Sequence, residues 1–172
     1  MRILTDYLSI LAVLLLIGCS SGPAPVAELR HFPVDDMSGV LALSNVELDS
    51  VESTDGGGSL RISVSGPAVI ELFTVEDLDI ENVMLIYQAH LRTESVDGQV
   101  YLEMWCDFEG LGAFFSRGLQ SPLTGDNEWS TASTPFMLKE GQRPQRVRLN
   151  LVIDGSGTAW IDDIRLLTSS LS

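Results

Sequence analysis

Leu16-Ile17-Gly18-Cys19 places a thiol directly after a small residue, at the end of an apolar run from Leu8 to Ile17 that follows Arg2. That order is a lipobox: a peptidase cuts before the cysteine, and the freed cysteine carries lipid such as palmitate. The run is shorter than the roughly 20 apolar residues a membrane span needs. An ordinary cleaved signal peptide, or an uncleaved anchor with a chance cysteine, is the alternative, and Asp6 in the n-region speaks for it.

The second group with usable chemistry is aromatic. Tyr101 and Trp105 fall on the same side of one alternating strand, Gln99 to Phe108, whose other side is Val100, Leu102, Met104, Cys106 and Phe108. Spaced rings suit a sugar, because the C–H face of a pyranose packs on a ring while its hydroxyls take polar partners nearby. Gln88, His90, Arg92, Glu103, Arg148 and Asn150 are the candidate partners. The same pattern also fits rings that cover the back of a sheet, with Glu103 paired to Arg92 or Arg148 across strands. Catalysis has little to work with. The two histidines, His31 and His90, stand far apart in sequence, no nucleophile elbow or His-Glu-x-x-His helix occurs, and Glu103 with Asp107 is the least unsuitable carboxylate pair.

Composition sets the frame for these groups. The 172 residues carry 10 Lys and Arg against 24 Asp and Glu, a formal net charge of −14, which argues against nucleic acid and anionic headgroups as ligands. With Cys19 lipidated, Cys106 is the one remaining thiol, so neither an internal disulfide nor a cysteine metal cluster can form. Residues 1–18 read as the signal peptide, and residues 19–28, rich in Ser, Gly and Pro, as lipidated cysteine and flexible tether. Residues 29–172 read as one β-sandwich domain.

Alternation of period two supports strands at Leu60 to Val64, Val83 to Arg92, Gln99 to Phe108, Gln145 to Ile153 and Thr158 to Leu167. Asp97-Gly98 and Asp154-Gly155-Ser156-Gly157 read as tight turns between consecutive strands, and Gly125-Asp126-Asn127 as a further surface turn. Phe114 and Phe115 read as loop residues at the rim of a pocket. In the last strand, apolar parity changes between Ile161 and Ile164. A bulge at Asp162-Asp163 would bring Ala159, Ile161, Ile164 and Leu166 to one side.

GGGSLRISV at 56–64, GQVYLEMWCDF at 98–108 and RVRLNLVIDGSGTAWIDDIRLL at 146–167 resemble the jelly-roll carbohydrate-binding modules of the galactose-binding-like superfamily. The resemblance implies an all-β fold, an antiparallel jelly-roll β-sandwich, with Trp129 and Trp160 as packing residues and sugar binding as a family tendency. It also implies a structural calcium held by Asp162 or Asp163 with groups near the N-terminal strand, where Asp35, Asp36, Glu47 and Asp49 offer carboxylates; the alternative is that the pair is solvated or caps backbone groups. By resemblance to the enterobacterial sorting rule, Ser20 and Ser21 after Cys19 favour the outer membrane. The expectation is a non-catalytic, lipid-anchored envelope module that binds a carbohydrate or envelope polysaccharide. The alternative is an accessory lipoprotein that docks on another envelope protein.

Overall fold

The computed structural model describes residues 25–54 and 56–171. The lipobox, Cys19 and most of the tether lie outside the described residues. Among the described residues eight strands form one hydrogen-bonded antiparallel network: β1 (Val26–Phe32), β2 (Val46–Asp49), β3 (Ser59–Val64), β4 (Ala68–Glu76), β5 (Val83–Phe108), β6 (Gly112–Arg117), β7 (Leu123–Leu138) and β8 (Arg146–Ser170). β1 opens at Val26, three residues before Leu29, and pairs Val26 with Ser169. All eight strands and the described core lie between Val26 and Ser170, so a chain that starts at Ser20 carries all of them.

β5 and β8 run antiparallel along nearly their full lengths, Val83 opposite Ser170 and Asp107 opposite Arg146. Asp97-Gly98 and Asp154 to Gly157 are therefore not hairpin turns: the structure corrects that expectation, because both segments lie inside these long strands and bend them. Gly98 pairs with Gly155 at the bend. A Cβ on Gly98 would stand 2.1 Å from the Asp154 carbonyl oxygen, and one on Gly155 would stand 1.8 Å from that of Asp97. Two backbones pass here at a separation only glycine tolerates, with φ of 121° and 152°. A turn signal and a bend signal thus use the same residues.

The bend divides the network into two layers. One contains the C-terminal half of β7, the N-terminal half of β5, the C-terminal half of β8, and β1, β3 and β2. The other contains β6, the C-terminal half of β5, the N-terminal half of β8, and β4. Leu85, Tyr87 and Leu91 from the first layer meet Leu102, Met104, Leu149, Leu151 and Ile153 from the second in one fully buried core. Each such side chain contributes about 1.5–3 kcal/mol by leaving water. Cys106 belongs to this core, and burial pushes its thiol up to about 12, so it is inert at neutral pH.

The bulge at Asp162-Asp163 is present. Pairing slips between Gln88 and His90 opposite it, Asp163 takes φ 49°, and Ala159, Ile161, Ile164 and Leu166 are all fully buried. Gly125 to Asn127 is not a free turn but part of β7, with Thr93 opposite Asn127.

Candidate ligand-binding face

Residues that alternate away from the core in the second layer form its outer face. β5 supplies Tyr101, Glu103, Trp105 and Asp107. β8 supplies Arg146, Arg148 and Asn150, and β6 supplies Phe115 and Arg117, opposite Trp105 and Glu103. Gln88, His90 and Arg92 do not join them. The bend carries the first half of β5 into the other layer, so these three residues sit on the opposite side of the sandwich, His90 against Thr54, Arg92 against Glu52 and Trp160, and Gln88 in the ladder opposite Ser133 and Arg165.

Glu103 organises the face. Only 2% exposed, its carboxylate accepts hydrogen bonds from Arg117 Nε at 2.6 Å, Trp105 Nε1 at 2.7 Å and Asn150 Nδ2 at 3.0 Å. Burial alone would raise its pKa, but these donors and the Arg117 charge outweigh burial and hold it below the usual carboxylate range. Asp107 is the second node. Opposing its own burial, Arg146 donates to it at 2.6 Å and Arg148 at 3.0 Å, and it too is held low. Two carboxylates kept ionised are the reverse of what a glycosidase's general acid needs.

The rings lie over this network. Trp105 and Phe115 have centroids 4.9 Å apart at an interplanar angle of 47°. Arg117 stands over Phe115 at 4.6 Å and Arg148 over Trp105 at 5.3 Å. Trp105 is partly exposed and Phe115 is 50% exposed, whereas Tyr101 is 8% exposed. Trp105 and Phe115, rather than Trp105 and Tyr101, are therefore the accessible pair. Burial raises the Tyr101 hydroxyl above its ordinary value. Beside Tyr101 a cleft of about 370 Å³ opens toward β7, with Gln120, Ser121, Ser130, Thr131 and Ser133 on its walls. Sequence reasoning missed the part played by Phe115 and Arg117. The signal was Glu109-Gly110-Leu111, a three-residue hairpin connection with Gly110 at φ 70°, which makes GAFFSR a strand rather than a loop.

The aspartates assigned to calcium are engaged differently. Asp163 accepts from Arg165 Nε at 2.9 Å and contacts His31 Nε2 at 2.7 Å, while Arg165 reaches Glu28 at 2.8 Å. Asp162 accepts from the Thr54 N–H at 2.7 Å, the Thr54 hydroxyl at 2.8 Å and the Asp163 N–H at 2.7 Å. Asp36 caps the Ser38 N–H, Asp35 takes that of Gly57, Glu47 pairs with Arg61, and Asp49 accepts from Trp160 Nε1 at 2.9 Å. Among the described residues no three His, Cys, Asp or Glu side chains gather as a cation shell. The Asp163 carboxylate is thus engaged by Arg165 and His31, and that of Asp162 by Thr54 and the Asp163 N–H. A chelator is expected to leave the thermal midpoint unchanged and added calcium to leave it within about 1 °C, which differential scanning fluorimetry checks.

Trp160 packs as the resemblance implied: 4% exposed, it lies between Arg92 at 4.5 Å and Arg61 at 5.7 Å.

No family model matches the chain, and no curated protein matches it. Solved structures do. The CBM22-1 xylan-binding domain of Paenibacillus barcinonensis Xyn10C has a TM-score of 0.63 at 10% identity, covering 88% of this chain and 100% of that one. The tandem CBM22-1-CBM22-2 domain of the same protein gives 0.65 at 11%, over 89% and 49%. A family 16 carbohydrate-binding module gives 0.56 at 13%, over 76% and 91%. The chain has the jelly-roll fold of these modules. In that jelly roll the bent β5 and β8 carry both layers, and the Trp105 and Phe115 face is the outer surface of the layer that ends in β6.

Proposed function

We propose that this jelly roll is a non-catalytic binding module for a carbohydrate or cell-envelope polysaccharide, and that the ligand lies on the Trp105 and Phe115 face. The observation that carries this reading is a ring pair open to solvent, set beside a pre-organised network of Glu103, Arg117, Arg148 and Asn150. Rings give a pyranose an apolar surface, and the exposed parts of Arg117 and Arg148, held in place by Glu103 and Asp107, meet its hydroxyls with little ordering cost. Similarity in fold to xylan-binding and other carbohydrate-binding modules supports the ligand class. Affinity electrophoresis through gels containing xylan, galactan or envelope polysaccharide tests it. At least one polymer is expected to retard the parent chain. Trp105→Ala and Phe115→Ala are each expected to weaken that retardation about tenfold, equivalent to about 1.4 kcal/mol. Retardation unchanged in both variants would contradict the site.

The module is held at the envelope by lipid on Cys19, with Ser20 and Ser21 directing it to the outer membrane. Palmitate labelling in cells is expected to mark the parent and to disappear in Cys19→Ala. Anchoring suits a module of modest affinity, since many copies on one surface bind a repetitive polymer together.

A further inference from the structure

β6 ends the sheet: β5 lies on one side, and among the described residues no strand pairs with the other. Gly118 donates its N–H to the Leu102 carbonyl at 2.9 Å. By the alternation of an antiparallel ladder, the backbone groups of Phe114 and Ser116 then turn toward β5, and those of Ala113, Phe115 and Arg117 turn outward. An open edge of this kind is normally guarded by proline, by charge or by a bulge. Here there is no proline between Gly112 and Arg117, and no acidic residue between Glu109 and Asp126. The one charge, Arg117, is drawn to Glu103 and the Phe115 ring. Leu111, Phe114, Phe115 and Leu119 are each at least half exposed along this edge.

We propose that β6 pairs with β6 of a second copy, antiparallel about a two-fold axis at Phe115, so that the outer faces of two copies become one. The outward groups fit their own image. With Phe115 opposite Phe115, Ala113 falls opposite Arg117, and the two arginines stand at opposite ends of the contact rather than against each other. Charge selects the same place. A chain of net charge −14 repels its copies over most of its surface, and this strip without carboxylates is where they can approach. On the carbohydrate reading, on which this consequence rests, the pairing lines up Trp105, Phe115 and the partner copy's two rings on strands about 4.8 Å apart. The second copy then completes a longer platform for an extended polymer.

Sedimentation equilibrium of the chain from Ser20 onward, without glycan and between about 1 μM and 1 mM, tests the pairing. The parent is expected to shift from monomer to dimer as concentration rises. Ala113→Pro removes an outward N–H while leaving the bonds to β5, and Phe115→Asp sets two carboxylates against each other on the axis. Both variants are expected to stay monomeric with the parent's circular dichroism spectrum. Phe115→Cys is expected to form a disulfide-linked dimer on mild oxidation. A parent that is monomeric throughout, a dimer that survives both substitutions, or failure of Phe115→Cys to cross-link would overturn the pairing. Because mass is read without sugar, that failure leaves the ligand face standing. Trp105→Ala, which is expected to bind polymer about tenfold more weakly, is expected to keep the dimer.

Discussion

Glu103→Ala is expected to lower unfolding free energy by about 3 kcal/mol and to abolish polymer binding, because it strips the common acceptor from three donors at once. Asn150 is 4% exposed, and its amide would lose the partner it has at 3.0 Å. Trp105 Nε1 and Arg117 Nε would lose theirs at 2.7 and 2.6 Å. The ring pair would lose orientation with them, so binding is expected to fall further than in either ring variant. Urea denaturation and affinity electrophoresis measure the two effects. The same carboxylate sets a pH dependence. Its folded-state pKa lies below the unfolded glutamate value, so its stabilisation is complete above about pH 4.3 and is lost as pH falls through the lower folded value. The parent's thermal midpoint is expected to fall in that acid window. Glu103→Gln, starting lower at pH 7, is expected to fall less steeply.

Gly155→Ala is expected to destabilise the chain by about 3 to 5 kcal/mol, enough to leave a domain of ordinary stability partly unfolded. The added Cβ would lie 1.8 Å from the Asp97 carbonyl oxygen, an atom of the paired backbone that no rotamer change can move. A φ of 152° adds strain for any side chain. Gly110→Ala is the contrast. It also has positive φ, 70°, but its Cβ would meet nothing within 4 Å, so its cost is expected to stay near 1 kcal/mol. Thermal melts of the two variants separate the close strand crossing from simple turn strain.

Much of this fold is legible in the sequence, because a half-buried strand writes its period-two pattern directly. Val100 to Phe108 and Val147 to Ile153 occupy the core sides their alternation indicates, and the parity change at Asp162-Asp163 marks a real bulge. Strand ends were less legible. Gly98 and Gly155 carry the composition of a turn, yet their backbones cross rather than reverse, and nothing local distinguishes the two cases. That ambiguity divided the candidate site. Taken as a hairpin, Gln88, His90 and Arg92 would neighbour Tyr101 and Trp105; on a continuous bent β5 they face the other way. Phe115 and Arg117 were hidden for a different reason. GAFFSR is exposed on both faces at the sheet edge, so it lacks the alternation that revealed the other strands. The aspartate pair shows how far resemblance reaches. The sequence shows only that two aspartates adjoin, and their partners in space, Arg165, His31 and Thr54, come from distant parts of the chain or from across the bulge.

Nuclear magnetic resonance titration of the chain from Ser20 onward, with an oligosaccharide of whichever polymer retards it, tests the central claim most directly. The Trp105 indole N–H, the Arg117 Nε–H and the Asn150 side-chain amide are the reporters on this face, and His90, Arg92 and the Trp160 indole report the opposite one. Saturable shifts confined to the first group are the expected result. Shifts confined to the second group, or no shift at saturating sugar, would contradict the assignment of the ligand to the Trp105 and Phe115 face.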